Sequence, residues 1–173
     1  VVIGQQIGVA IETARLFGAE QRRTEQFRLI GEVGRRITSI LVVDELLTEM
    51  ARLARVSLGY YSVCIGLIEG DEVVVKAGAG SGWDTSAYQP PRLKVGREGI
   101  VGWVAQHGEP LLVPDVSQEP RYCFLPQASE ARSELAVPLK AKDVVVGVLD
   151  VQSDRVDAFD ESDLAVLQSL ANQ

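Results

Sequence analysis

Apolar and polar residues alternate most clearly between Ser133 and Ser153, in the stretch SELAVPLKAKDVVVGVLDVQS. From Leu135 to Leu139 every second residue is apolar, which is the period of a β-strand with one apolar face. From Val144 to Val151 both alternating sets are apolar, so this second strand is expected to be covered on both faces. The short polar segment Ala141–Asp143 predicts a hairpin turn. Pro138 lacks an N–H and predicts a bulge or an unpaired backbone position.

The first 41 residues show helical periodicity instead. Apolar residues recur there at intervals of three and four, the spacing of a coiled-coil seam. The polar segment EQRRTEQ around Thr24 interrupts the seam; it is either a solvated part of one long helix or a joint between two helices. Such a stripe needs a partner, either the domain itself or a second copy. The residues proposed for this dimerisation and signalling helix are Ile3, Ile7, Ala14, Phe27, Ile30 and Ile37.

Capping and turn residues divide the rest of the chain into further elements. Asp44 is the expected N-cap of a helix that Gly59 ends. The turn residues Gly70-Asp71 separate two predicted strands, from Tyr61 to Ile68 and from Glu72 to Ala79. The stretch that follows, with its glycines and Pro90-Pro91, is expected to be irregular.

The second half of the chain contains two short elements before the hairpin and one helix after it. A long connection such as the one before the hairpin is usually functional or mobile. Because the strands come as hairpins and the helices lie at both ends, we predict an α+β fold with a central antiparallel sheet. The predicted elements are a helix over Glu98–His107, a strand over Leu111–Val113, a loop over Pro114–Arg132, and a final helix capped by Asp160 or Ser162.

Composition and charge exclude several classes of function. The 173 residues are 46% hydrophobic, and 24 acidic against 17 basic residues give a net charge of −7. An acidic surface repels phosphate backbones, so no nucleic-acid partner is expected. No apolar run is long enough to insert this segment into a membrane. The two cysteines, Cys64 and Cys123, fit a reducing compartment and hence a cytoplasmic location.

Both ends of the chain indicate a piece of a longer protein. The chain starts at Val1 rather than Met, and its final LQSLANQ would join naturally onto the opening QQIGVAIETARLF as one amphipathic helix. We therefore expect a segment taken from a tandem array of domains. Whether the parent protein spans a membrane stays open.

Four segments, taken in order, resemble a GAF domain. The resemblance covers about Thr24 to Gln173. It implies a sheet of about six strands with the terminal helices on one face and short helices and loops around a pocket on the other. It also implies a connecting helix over residues 1–25, the exit helix of a preceding GAF domain, and a GAF domain over 26–173. The segments are VGREGIVGWVAQHGEPLLVPDV (95–116), RSELAVPL (132–139), VVGVLDVQS (145–153) and DAFDESDLAVLQSLANQ (157–173).

The resemblance also implies a function. It indicates a homodimeric, regulatory module that senses a small molecule within a multidomain signal-transduction protein, such as a sensor histidine kinase of a two-component system. Connecting helices would couple the pocket, or the state of a neighbouring domain, to an effector. It names no ligand and no cofactor. The alternatives are a ligand-free spacer that only dimerises, and a bilin-binding photosensor that uses Cys123.

The pocket of the family suggests a set of candidate ligand-binding residues. The alternative interpretation is that Trp103 belongs to the core and that Tyr122 and Phe124 fill an empty pocket. Cys64 alternates with apolar strand residues and is interpreted as packing. The six candidates are Trp83, Trp103, Tyr122, Cys123, Phe124 and Arg132.

Specific chemistries of the family are poorly matched. Phe124 follows Cys123 where bilin-binding relatives usually have His, and Gln152-Ser153 stands where cyclic-nucleotide-binding relatives have Asn-Lys. His107 is the only histidine and lies in the last turn of a predicted helix, so no metal site is expected. The branch that reduces free methionine sulfoxide uses several cysteines, and no nucleophile–base–acid trio is visible. We therefore predict no catalytic residues and no enzymatic activity.

Overall fold

The computed structural model describes residues 28, 31–32, 42–80, 83, 91–125 and 130–172. The chain divides into two compact units, Val1–Val43 and Asp44–Gln173. In the first unit, residues 28, 31 and 32 are helical, and an ion pair of 3.5 Å joins Arg28 to Glu32 one turn later. The proposed interface residues from Ile3 to Ile37 lie outside the described residues.

One six-stranded antiparallel sheet organises the second unit, which confirms the predicted α+β class. The strand order is β3-β2-β1-β6-β5-β4. The edge strand β3 was not predicted, because its three residues lie in a stretch rich in glycine and proline. The strands are β1 (Ser62–Glu69), β2 (Glu72–Gly80), β3 (Arg92–Lys94), β4 (Leu111–Val113), β5 (Ser133–Ala141) and β6 (Val144–Ser153).

Three helices accompany the sheet: α1 (residues 42–58), α2 (Gly99–His107) and α3 (Glu161–Ala171). A short 3₁₀ turn, Val116–Gln118, lies in the segment that was predicted to be a loop. Among the residues that the structure describes, no helix has the length and apolarity that crossing a bilayer requires.

The start of α1 differs from the prediction. Residues 42 and 43 are already helical, and the Thr48 hydroxyl donates to the Asp44 carbonyl at 2.8 Å, one turn back. Asp44 is therefore inside the helix and is not its N-cap. The predicted end is confirmed: Gly59 adopts φ +72°, and its N–H donates to the Arg55 carbonyl at 2.9 Å.

Helix α3 begins with a capping box centred on Asp160, the first of the two predicted caps. Its carboxylate accepts the backbone N–H groups of Ser162 at 2.7 Å and Asp163 at 3.2 Å. In return, the Asp163 carboxylate accepts the Asp160 N–H at 3.0 Å. These bonds satisfy donors that the first turn of a helix leaves free.

The β5–β6 hairpin closes as predicted. Lys142 and Asp143 both have positive φ, 49° and 67°, as a two-residue turn of this kind requires. The register shifts just after Leu139, one residue beyond Pro138. Pairing of β6 with β1 starts only at Gly147, so the first residues of β6 extend past β1 and pair with β5 alone.

Burial of β6 on both faces is confirmed from Gly147 to Ser153 only. Val144 and Val146 are 64% and 39% exposed, which contradicts the prediction for the start of the strand. The reason is the missing β1 neighbour, because residues beyond the paired part of a sheet have little above or below them.

The two faces of the sheet carry separate cores. On the helix-covered face, side chains of α1 and α3 pack on the strands. On the roofed face, α2 and the turn after β4 pack on them. The helix-covered core includes Leu47, Ala51, Val63, Leu135, Val151 and Leu167. The roofed core includes Val73, Ile100, Val104, Val116, Ala136 and Val148.

Candidate functional site

Polar side chains occupy the part of the roofed face that α2 does not fill. Strand alternation places them there, because their neighbours Val63, Leu135 and Val151 point into the helix-covered core. Register pairs Cys64 with Asp150 across β1 and β6, and Gln152 lies between Ser62 and Glu134. All five side chains are buried: Ser62, Cys64, Glu134, Asp150 and Gln152. We call them the polar cluster.

Hydrogen bonds join most of the polar cluster. Gln152 Nε2 donates to Glu134 Oε2 at 3.3 Å, and Cys64 Sγ donates to Asp150 Oδ2 at 3.5 Å. The second oxygen, Asp150 Oδ1, is buried and, while Glu134 is ionised, accepts no hydrogen bond from the residues that the structure describes. A buried acceptor without a donor is uncommon in a folded protein and costs about 1–3 kcal/mol.

Burial sets the charge of the polar cluster. It raises the pKa of Asp150 to about 7, although hydrogen bonds involving Glu134 and Cys64 act in the opposite direction. Burial, reinforced by the Asp150 charge, raises the pKa of Glu134 well above its usual range. The two carboxyl groups therefore share at most about one negative charge at neutral pH. Protonated Glu134 is then a donor for the Asp150 carboxylate.

The Cys64 thiol also stays protonated. Burial raises its pKa well above the usual range, and the charges of Asp150 and Glu134 act in the same direction. Only the thiolate is a strong nucleophile, so Cys64 is suited to donating a hydrogen bond rather than to attack.

Tyr122, one of the predicted residues, covers the polar cluster. It is half-buried and packs on the roofed core. Burial raises its pKa to about 12, and the charges of Glu134 and Asp150 contribute. Its hydroxyl is therefore a donor at neutral pH. Cys123 beside it is exposed, yet it lies near enough to Glu134 to raise the pKa of that carboxyl group.

Trp83 contacts the polar cluster through Ser62. Its indole Nε1 donates to the Ser62 hydroxyl at 2.9 Å. Its ring lies directly over Gly78, where an added Cβ would clash with the ring carbons. A glycine at that position of β2 is what allows the indole to lie against the sheet.

The other three predicted residues lie away from the polar cluster. Trp103 is half-buried on α2, where its ring stacks on His107 at 4.2 Å between centroids and the Arg121 guanidinium lies 5.0 Å from the ring centre. Phe124 is 61% exposed. Arg132 is exposed and uses its backbone N–H to bind the Ser153 carbonyl at 2.7 Å. A ligand-binding role for any of the six residues stays a prediction.

The sequence did carry a signal for the residues that were missed. Glu134 and Asp150 are acidic residues inside strands that are otherwise apolar, at positions that the hairpin register brings to one face. Cys64 was interpreted only as packing, and Gln152 only as a departure from a nucleotide-binding pair. Within the described ranges, no group of three or more His, Cys, Asp or Glu side chains could hold a metal ion.

Comparison with known proteins identifies the family. The model of the GAF domain family matches residues 41–173, so the chain belongs to this family. A Nif-specific regulatory protein of Azospirillum lipoferum is 30% identical over 146 residues, which cover 80% of this chain and 23% of that protein. The chain spans less than half the length of the curated relatives it matches.

Solved structures show the same fold. A putative GAF sensor protein from Burkholderia vietnamiensis has a TM-score of 0.63 and 27% identity, over 74% of this chain and 77% of that one. A free methionine-R-sulfoxide reductase from Neisseria meningitidis, solved in complex with its substrate, has a TM-score of 0.64 and 28% identity, over 74% and 72%. Regulatory and sensor proteins are thus among the relatives.

The reductase corrects one prediction. The chain was predicted not to be an enzyme, because it has two cysteines and no visible catalytic trio. A GAF-fold protein that is 28% identical is a reductase. Membership of the GAF family therefore does not exclude catalysis by this chain.

Proposed function

We propose that the chain is a small-molecule-sensing module of a larger signal-transduction protein, a sensor histidine kinase in the most specific form of the proposal. Its ligand binds over the polar cluster, and the connecting helices pass the occupied state to an effector. The observation that carries the proposal is the pair of buried carboxyl groups, Glu134 and Asp150, neither of which forms an ion pair with a residue that the structure describes.

The charge of the polar cluster defines the class of ligand. Two buried carboxyl groups favour a ligand that brings hydrogen-bond donors and positive charge, such as an ammonium group. The Tyr122 hydroxyl supplies a donor for a polar acceptor on the same ligand. A small amino acid or amine meets both requirements, and free methionine sulfoxide, the class of substrate named for the reductase neighbour, carries an ammonium group as well.

A ligand titration tests this proposal. We expect free methionine sulfoxide or another amino compound in a panel of free amino acids and amines to raise the melting temperature, because a ligand that binds only the native state stabilises it. Asp150→Asn should abolish the shift. Asp143→Asn, at the exposed hairpin turn, is the matched control and should retain it. If the whole panel leaves both proteins unchanged, the ligand-free spacer is the better description.

The dimeric form of the proposal rests on the surface of α1 and α3. An apolar groove of about 310 Å³ opens between them, lined by residues such as Met50, Ala54 and Leu170. Leu53 and Val166 on its rim are exposed apolar side chains. Exposed apolar surface of this kind favours association.

Native mass spectrometry tests the dimer. We expect a dimer that Leu53→Glu converts to monomer. Val144→Glu, at the exposed hairpin tip, is the control and should leave the dimer intact. A native protein that stays monomeric at high concentration would rule out the homodimer.

A second candidate function is reduction of free methionine sulfoxide. The reductase neighbour favours it, together with the position of Cys123 beside Glu134. Cys123 and a thiol of the reductant would supply the two electrons. Methionine sulfoxide and the two thiols would then give methionine, a disulfide and water. Cys123 is the candidate nucleophile, because the raised pKa keeps Cys64 protonated.

The reductase candidate has a direct assay. Methionine should form with dithiothreitol as reductant, and Cys123→Ser should stop it. Asp143→Asn is again the control. Methionine production no faster than with dithiothreitol alone would reject this candidate and leave the sensing proposal unaffected.

A further inference from the structure

A second cavity lies at the end of the sheet where α1 stops and α3 begins. Its volume is about 520 Å³, within the usual range for small-molecule sites. It lies apart from the polar cluster, and none of the five cluster residues lines it. The lining residues include Arg55, Leu58, Tyr60, Tyr61, Arg155 and Phe159.

Two arginines are the available donors of this cavity. Neither Arg55 nor Arg155 forms an ion pair with any residue in the described part of the chain. Both tyrosine hydroxyls, in contrast, are already used: Tyr60 donates to Asp163 Oδ1 at 3.3 Å and Tyr61 to Glu130 Oε2 at 3.4 Å. An unengaged guanidinium is a strong, planar donor for a phosphate or carboxylate group.

The two acidic residues of the cavity lining, Asp154 and Asp163, differ in how strongly they oppose the binding of an anion. The Asp163 carboxylate already accepts the Asp160 N–H and the Tyr60 hydroxyl. Asp154 is the exposed carboxylate of the lining and opposes anion binding. The whole protein is acidic, with a net charge of −7, so any affinity for an anion must come from local donors rather than from the overall field.

The wall that carries Arg155 is held in place by buried hydroxyl groups. Ser133 Oγ donates to the Arg155 carbonyl at 2.8 Å, and the Arg155 N–H donates to Ser153 Oγ at 3.2 Å. Asp157, two residues later, adopts a backbone φ of 53°, in the left-handed region that residues other than glycine seldom occupy. Its N–H donates to the Pro114 carbonyl at 2.8 Å. Conformations of this type persist where the surroundings fix them.

Aromatic side chains are among the lining residues of the cavity. Tyr60 and the buried Phe159 meet edge to face, with ring centroids 5.7 Å apart. Leu58 and Ala158 extend the apolar surface beside them. Most of the exposed lining is polar, so a ligand held here by a charged group finds a small apolar surface for its body, which the Tyr60 ring and Leu58 provide.

We propose that this cavity binds a small organic anion, with its phosphate or carboxylate group between Arg55 and Arg155 and its apolar or flat body against Tyr60 and Leu58. The site joins the end of α1 to the first turn of α3. Its occupant would thus contact both terminal helices of the domain, independently of the ligand at the polar cluster.

Calorimetric titration with phenyl phosphate tests the proposal, with benzoate, inorganic phosphate and phenol as comparison probes. We expect phenyl phosphate to bind, inorganic phosphate to bind more weakly for lack of a body, and neutral phenol not to bind. Benzoate binding more tightly than phenyl phosphate would identify carboxylates, rather than phosphates, as the class. Failure of both aromatic anions to bind would overturn the proposal.

Matched variants locate the site. Arg55→Gln and Arg155→Gln should each weaken phenyl phosphate binding about tenfold, the effect of losing one charge-assisted contact. Arg97→Gln removes the same charge from an exposed residue outside the cavity and should change the affinity less than about twofold. Asp154→Asn should tighten binding. Equal losses in all three arginine variants would mean non-specific attraction and would overturn the assignment.

One further variant separates the two sites. Asp150→Asn should leave phenyl phosphate binding unchanged while it removes the response to amino compounds. Loss of both responses in this variant would mean that the anion binds at the polar cluster, which would reject a separate cavity site.

Discussion

The two faces of the sheet are made by the same strands, yet their buried residues differ in kind. The helix-covered face is apolar throughout its core, from Val63 on β1 to Leu135 on β5. The roofed face is apolar only beneath α2; beside it, Glu134 and Asp150 are buried as deeply as the core residues. Since a strand offers alternate residues to the two faces, each face can be specified without changing the other.

This difference separates stability from binding. Burying apolar surface stabilises the fold at about 25 cal/mol per Å², whereas burying a carboxyl group costs free energy unless it is paired. The helix-covered face therefore stabilises a fold that tolerates an unfavourable polar cluster on the other face. Three predictions measure the contrast, starting with the largest effect.

Truncation on the helix-covered face should cost the most. Leu135→Ala removes a fully buried side chain between α3 and the sheet, and we expect the free energy of unfolding to fall by about 2–5 kcal/mol. Urea denaturation would show this as a lower midpoint with an unchanged slope. Val144→Ala, at an exposed position of the hairpin, should stay within about 0.5 kcal/mol. Equal losses in the two variants would contradict the central role of this face.

Neutralising Asp150 on the roofed face should raise the free energy of unfolding instead of lowering it. The pKa of Asp150 is raised from 3.8 to about 7, so the native state holds a proton that the unfolded state has released. Stability therefore falls as the pH rises from about 4 to 7 and stays low above that. At pH 8 we expect Asp150→Asn to stabilise the protein by about 2 kcal/mol, below a ceiling of ~4 kcal/mol for that shift.

The pH profile provides the check on this sign. The gain from Asp150→Asn, measured by urea denaturation at several pH values, should shrink steadily toward pH 4, where Asp150 is protonated in the native state and partly protonated in the unfolded state. Asp143→Asn should show no such trend. A variant that is less stable than the native protein at pH 8 would mean that the carboxylate is well satisfied in the fold.

The smallest change in the free energy of unfolding should come from a substitution beneath the Trp83 ring. Gly78→Ala places a methyl group where the Trp83 ring lies and should displace the indole, with loss of the bond to Ser62. We expect a cost of about 1 kcal/mol, the net value of one hydrogen bond. In a Trp103→Phe background, Trp83 emission should shift to longer wavelength. Unchanged emission would show that the indole does not rest on Gly78.

Much of the fold could be predicted because its signals are local. The hairpin turn, Gly59, the capping box at Asp160 and the alternation in β5 each depend on a few adjacent residues. The predicted start of α1 was wrong because the residues just before Asp44 are already helical. Strand β3 was missed because its three residues are too few to show a periodic pattern. The predicted burial of Val144 was wrong because burial depends on how far the neighbouring strands extend, which the alternation of apolar residues does not encode.

The polar cluster was harder to predict because it depends on distant parts of the chain. Cys64 and Asp150 are 86 positions apart and meet only through the pairing of β1 with β6. The loop that brings Tyr122 and Cys123 to the cluster has no periodicity of its own. An acidic residue in an apolar strand was the available clue, and only the register shows that Glu134 and Asp150 share one face.

Both margins of the sheet are strands of only three residues, β3 and β4. Past Ala136, β5 has no β4 partner, and Pro138 offers no N–H there. At the β4 edge, a foreign strand would thus find few groups to pair with. In a polypeptide that carries several such domains in a row, this guards against neighbours exchanging strands while they fold, a common route by which repeated domains misassemble.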